Sequence, residues 1–364
     1  MNFINGAGVI SPQQTVGVRE FPVEIIGCCC DYLQAIEPVY RNYIDPVQSR
    51  RMSRLIKMGI AAARLCVLDS GIDLPDGIIT GTGLGSVEDT EKILAEITHD
   101  ERFLNPTPFI QSTYNTISSQ VAIQLKCHGY NSTYVHRIFS FESGLMDAML
   151  QLSELPGRNF LVGAIDEMTL NHLQITRRIG LWRKEPVHNL ELWKNNTDGA
   201  LAGEGAAFFM ISDTPSPSTY GQIVDVSTIF SPEPGTNMSE RVEHFLLKNG
   251  ISTKDIDLVL LGMNGDARYD DHYNHLADCC LPDASRGWFK HLCGEYHTAS
   301  GFGLFIAATI LRNQIIPEII RLPGKEVHDI NYILIYNQFR GVNHTLILLK
   351  RFNQELQNTN NNVQ

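Results

Sequence analysis

The sequence predicts an α/β fold with largely buried sheets. Strand-like and helix-like segments alternate along the chain. One stretch, residues 212–221 (SDTPSPSTYG), breaks the alternation with Pro, Ser and Thr, which prevent regular structure. Apolar residues make up 43% of the chain and charged residues 19%, enough for a sizeable core. Alternation on both sides of a single break implies two α/β halves, residues 1–212 and 222–352. The remainder, residues 353–364, is rich in Asn and Gln and is expected to be a disordered tail.

The elements follow in order. Residues 52–68 place apolar side chains at helical spacing, are Ala-rich, and have Gly71 just past their end. Residues 77–80 read as a short buried strand running into Gly81-Thr82-Gly83-Leu84-Gly85, and Ser86 is placed to cap a helix over 87–97. Residues 117–125 carry apolar residues at helical spacing, 133–140 read as a strand, 143–155 as a helix, and 159–164 and 205–211 as strands. Past the break come a strand at 222–229, a helix at 239–249, a strand at 256–262, a helix at 301–313, and strands at 332–336 and 345–351.

Charge and cysteine usage narrow the function classes. The formal net charge of −11 argues against a general nucleic-acid or anionic-membrane binder, since both need a basic surface; it leaves room for a small basic patch facing an acidic partner. No apolar run approaches the ~20 residues of a membrane span, and Met1 to Pro12 lacks the basic and apolar regions of a secretion signal. The eight cysteines are too irregularly spaced for a disulfide framework, so reduced thiols and a cytoplasmic location are expected. His272, His275, Cys279, Cys280, His291 and Cys293 lie close in sequence, but no Cys-x2-Cys knuckle is present and they fall in different elements. They read as scattered buried cysteines and surface histidines, with no metal. The glycine stretch GTGLGS departs from G-x-G-x-x-G and reads as a structural turn, with no nucleotide or other cofactor.

Five segments in order resemble the β-ketoacyl-acyl-carrier-protein synthases. These are Phe3-Ile4-Asn5-Gly6-Ala7-Gly8-Val9-Ile10-Ser11-Pro12, Arg50-Arg51-Met52-Ser53-Arg54 leading to Ala61-Ala62-Ala63, the Gly81–Gly85 turn, Thr197-Asp198-Gly199 with Gly203-Glu204-Gly205-Ala206, and Phe339-Arg340-Gly341-Val342-Asn343. The resemblance covers most of residues 1–352 and implies a thiolase fold, two stacked mixed sheets in an αβαβα arrangement.

It also implies where the chemistry would sit. In the family the nucleophilic cysteine opens a helix after a strand, where the helix N-terminus stabilises the thiolate that attacks the acyl thioester. Anchoring on Ser143-Gly144 puts Phe141 there, and a one-residue shift would put Glu142 there instead, as a first-turn carboxylate complementing the helix dipole. The two family histidines, donors to the developing enolate oxygen, fall on Met263 and Glu295, while the family lysine is retained as Lys290. His297 and His291 lie near in sequence but off register.

Phe339 falls on the family's gating phenylalanine. Gln338 and Arg340 replace flexible glycines beside it, so the gate is expected to be fixed. In the family the partner-facing segment precedes the nucleophile strand; here that is Phe109 to Thr116, with Thr113 and Tyr114 expected at the acyl pocket.

With the Cys-His-His set missing, the chain resembles a chain-length factor. That implies a non-condensing subunit that pairs with a cysteine-bearing ketosynthase, shapes its acyl tunnel and meets an acyl carrier protein, in an aryl-polyene or flexirubin-type setting. Two other readings stay open: an acyl-carrier-dependent condensing or malonyl-decarboxylating enzyme with an atypical residue set, and a homodimeric acyl-binding scaffold.

Overall fold

The computed structural model describes residues 1–353 except 101, 103, 195, 196 and 233–235; the tail expected beyond 353 lies outside the described residues. Ten strands form one continuous mixed sheet. In chain order they are β1 (Asn2–Ile10), β2 (Gly77–Gly81), β3 (Tyr130–Tyr134), β4 (Asn159–Asp166), β5 (Gly205–Ser212), β6 (Gly221–Phe230), β7 (Leu258–Leu261), β8 (Ser285–Trp288), β9 (Tyr332–Phe339) and β10 (Asn343–Lys350). The spatial order is β8-β7-β9-β10-β6-β1-β5-β4-β2-β3.

That order contains one pattern twice. From β1 outward the pairings are antiparallel to β5, antiparallel to β4, parallel to β2 and parallel to β3. From β6 outward they are antiparallel to β10, antiparallel to β9, parallel to β7 and parallel to β8. The two five-stranded halves meet only where Asn2–Ile4 pair with Ile223–Gly221. The two expected sheets are thus joined edge to edge by this short ladder, and residues 213–220 span the junction.

Helices fill both faces: α1 (Arg54–Ser70), α2 (Val87–Asp100), α3 (Thr116–Leu125), α4 (Ser140–Glu154), α5 (Leu170–Arg178), α6 (Met238–Lys248), α7 (Asp271–Cys279) and α8 (Ser300–Asn313). Alternate residues of each strand face opposite ways, and the core divides accordingly. Ile79, Phe209, Leu260, Ile335 and Ile347 pack with Phe141, Leu145, Ala148 and Leu152 of α4 and with most of α8. Their neighbours Ile78, Phe208 and Met210 pack against α1 and α3, and Val259, Leu334 and Leu346 against α6 and α7. Helices α4 and α8 are therefore the shared middle layer, touching strands of both halves.

The strand read over 133–140 is shorter than expected. β3 ends at Tyr134, where its partner β2 ends at Gly81. Arg137 then takes φ +50°, and a 3-10 turn at Arg137–Phe139 leads into α4. The Ser140 hydroxyl accepts from the His136 N–H at 2.8 Å and donates to the Arg137 carbonyl at 2.7 Å, turning the chain before the helix.

Candidate active-site region

Two glycines let the first turn of α4 and its surroundings close up. A Cβ on Gly81 would lie 2.5 Å from the Phe141 nitrogen, and one on Gly83 would lie 2.3 Å from the His297 side chain. The glycine stretch after β2 is a packing turn. Phe141, second residue of α4, is fully buried with its ring 5.9 Å from that of Phe209. It carries no nucleophilic atom.

Glu142 follows in the same turn and is also fully buried, with no hydrogen-bond partner for either carboxylate oxygen. Burial pushes its pKa up to about 7, against smaller opposing effects from the Ser300 and Thr345 hydroxyls and the Lys290 charge. The first-turn position expected to favour a carboxylate is outweighed by desolvation.

The loop after β7 and the segment after β8 meet at a buried charge cluster. Lys290 Nζ lies 2.5 Å from Glu295 Oε2, and Asn264 Nδ2 donates to the same oxygen at 2.6 Å. Asp270 accepts from the Asn264 and Gly265 N–H groups, fixing that loop, and burial pushes its pKa up to about 7. Glu295 is positioned by its backbone: its N–H donates to the Leu201 carbonyl and its carbonyl accepts from Gly203. Gly203 and Gly294 cross at a distance no side chain tolerates; a Cβ on Gly203 would lie 2.0 Å from the Cys293 carbonyl oxygen. Glu204, beside Gly203, accepts two hydrogen bonds from Arg54 and one each from the Ala35 and Met168 N–H groups. The Arg50–Arg54 and Gly203–Ala206 segments are thus stapled through Arg54 and Glu204.

Among the residues expected at the site, Lys290 and Glu295 come together. Met263 does not join them: it is partly buried against two apolar clusters, one holding Leu261 and the other Trp288, and Asn264 is the loop residue that reaches Glu295. Anchoring the loop on Gly265, rather than on the end of the strand, would have picked Asn264. His297 stands near Glu295. It lines a cavity of about 230 Å³ with Glu295, Phe339 and Arg340, its ring 6.3 Å from that of Phe339, and burial pushes its pKa down to about 4. Phe339 ends β9.

Gln338 pins the turn that follows, accepting from Gly341 N at 2.8 Å and donating to the Tyr269 carbonyl at 3.1 Å. Arg340, expected to lack left-handed freedom, adopts φ +55° nonetheless, held by the hairpin on either side. Thr113 and Tyr114 lie outside this cavity, on an adjoining open groove of about 840 Å³ that shares Leu84 and His172 with it.

The cysteine and histidine set between residues 272 and 293 stays dispersed. His272 lies edge-on to His344; Cys280 and Cys293 are buried as expected, but Cys279 is exposed, and His291, expected at the surface, is fully buried with its ring stacked on Trp288 at 3.9 Å. Among the described residues no group of three or more His, Cys, Asp or Glu is arranged to hold a metal ion, and no helix is long and apolar enough to cross a membrane.

Comparison with known proteins agrees with this architecture. Residues 31–174 match the family described as beta-ketoacyl synthase, N-terminal domain. The sequence similarity to ketosynthases is confined to that segment. No curated protein matches it in sequence. Among solved structures, the ishigamide ketosynthase/chain length factor is similar with a TM-score of 0.75 at 18% identity, covering 97% of this chain and 99% of that one. A beta-ketoacyl synthase from Burkholderia phymatum STM815 gives 0.74 at 14% identity, with 97% and 99% covered. A type II polyketide synthase acyl-carrier protein in complex with its ketosynthase, bound to the hexaketide, gives 0.75 at 14% identity, with 96% and 99% covered. The fold is the mixed α/β thiolase-like fold of ketosynthases.

Proposed function

We propose that this ketosynthase-like protein is a non-condensing subunit that pairs with an active β-ketoacyl synthase and shapes its acyl tunnel, as a chain-length factor does. One observation carries the reading: the helix N-terminus that would activate a thiolate presents Phe141, buried and chemically inert. The Asn264–Glu295–Lys290 cluster adds to it. A carboxylate engaged by lysine and amide offers no hydrogen bond to a developing enolate oxygen.

The expected result with an acyl-carrier thioester is no covalent adduct, read by intact-mass measurement. A stoichiometric, wash-stable acyl adduct overturns the reading. Phe141→Cys alone is expected to leave condensation at background, because groups that act as a unit are not restored one at a time; turnover near that of an active ketosynthase would contradict this.

Pairing is supported by the two ends of the sheet. At β8 the edge is covered, Leu322 N donating to the Arg286 carbonyl. At β3 the edge is open, and Phe109, Ile110, Tyr114, Ile123 and Val135 around it are exposed. Ile138, the position otherwise suited to an interface substitution, is buried in this chain's own interior, so Val135 takes its place as the probe. A dimer burying more than ~2,000 Å² is expected, and Phe109→Asp with Val135→Asp is expected to abolish it. Light scattering with and without a cysteine-bearing ketosynthase reads the outcome. A stable monomer that pairs neither with itself nor with any such ketosynthase would defeat the proposal.

A further inference from the structure

The cavity beside His297 is small, about 230 Å³ against the ~300–1,000 Å³ of drug-sized pockets. Its walls are largely apolar, with Leu84, Met168, Leu181, Trp182 and Phe339 among them. Three carboxylates also line it, and each is engaged from within the fold. Asp166 accepts from Gly83, Thr82 and Thr298; Glu167 from the Glu88 N–H; Glu295 from Lys290 and Asn264. The cations at the mouth are different. Arg137 and Arg340 are exposed and form no ion pair among the described residues, Arg340 lying only over the Tyr269 ring at 6.0 Å. His297, on the wall between them and Glu295, has no partner for Nδ1.

The backbone singles out the same two arginines. Among the described residues five non-glycine residues have positive φ: Lys126, Arg137, Ser231, Gln314 and Arg340. Lys126 and Gln314 are helix C-caps, where the left-handed conformation is routine. Of the other three, two flank this one cavity. Each is held there by neighbours, Arg137 by the Ser140 hydroxyl and Arg340 by the Gln338-pinned hairpin. Strain kept at two residues of one mouth, where glycine would cost nothing, points to a use for their side chains.

We infer that Arg137 and Arg340 clamp the carboxylate of a small free carboxylic acid, bound non-covalently with its apolar body along Leu181, Trp182 and Phe339. A planar guanidinium on each side suits a carboxylate, and charge-assisted bonds at a partly dry mouth are the strong ones. The inference does not depend on pairing with a ketosynthase and concerns the lone chain.

The test titrates the purified chain by calorimetry with straight-chain carboxylates from butanoate to decanoate and with their primary amides. At least one acid is expected to bind, about tenfold or more tighter than its amide. Arg137→Gly and Arg340→Gly fit the left-handed backbone without strain, so each is expected to keep or raise the melting temperature while weakening the acid about tenfold. Equal affinity for acid and amide, undiminished acid binding in both glycine variants, or no binding by any of these acids overturns the inference. Since dimerisation is read separately by light scattering, failure here leaves the subunit proposal standing, and the reverse.

Discussion

Glu295→Gln is expected to destabilise the protein by ~3–5 kcal/mol although the amide can still accept from Lys290 and Asn264. Lys290 and Glu295 are 1% and 2% exposed, so removing the carboxylate charge leaves an ammonium without water and without its ion-pair partner. Lys290→Met strands the carboxylate instead and is expected to cost a similar amount. The double variant is expected to recover ~1–3 kcal/mol relative to the sum, the coupling of a buried pair in direct contact. Chemical denaturation of the four proteins measures this. Additive costs, or a single-variant cost below ~1 kcal/mol, would mean the two groups are not held as a dry pair. The functional stake is the charge itself: an ion pair already closed on Lys290 cannot stabilise an anion forming beside it.

Stability is expected to fall as pH rises from about 4.5 to 7, the reverse of the usual acid denaturation. Burial raises the pKa of Glu142, Glu167 and Asp270 to about 7 and of Asp166 to about 6, from ordinary values of 4.5 for Glu and 3.8 for Asp. Between the unfolded and folded values the native protein binds more protons than the unfolded chain, so raising pH favours unfolding. The stabilisation from these groups is complete below about pH 4 and lost above about pH 7. Glu142 is a direct probe, because it is fully buried and burial outweighs the opposing effect of its neighbours. A shift from 4.5 to about 7 corresponds to ~3 kcal/mol at pH 8. Glu142→Gln is therefore expected to raise the melting temperature clearly at pH 8 and hardly at all at pH 4.5. A variant that melts with the same offset at both values would show that Glu142 is not a desolvated acid.

Local patterns told most of the fold. Alternation in segments such as Ile78-Ile79 and Phe208-Phe209 follows the two faces of a strand, and Gly71 ends α1 in the left-handed position expected of it. What could not be read locally involves partners far apart in sequence. Arg54 and Glu204 form a staple across 150 positions, and nothing near either residue announces the other. The strand expected to reach residue 140 stopped early because the Ser140 hydroxyl captures the backbone at 136 and 137, an event invisible to periodicity. At the site, Lys290 and Glu295 were identifiable because a glycine fixes their spacing. Asn264 was passed over for Met263 because one residue along a loop decides whether a side chain faces the interior or the neighbouring cluster.

The shared middle layer governs how this chain can be made. Helix α4 belongs to the first half yet packs on β6 of the second, and α8 of the second packs on β1 and β5 of the first. During synthesis the apolar face of α4 emerges well before α8 and β6, its cover, are complete. Until residue 313 leaves the ribosome, Leu145, Ala148 and Leu152 have no finished interior to enter. Closing contacts over such separations is slow, because the chain entropy is lost before the contacts form. A gene fragment ending in the loop at 213–220 is therefore expected to yield insoluble material rather than a working domain.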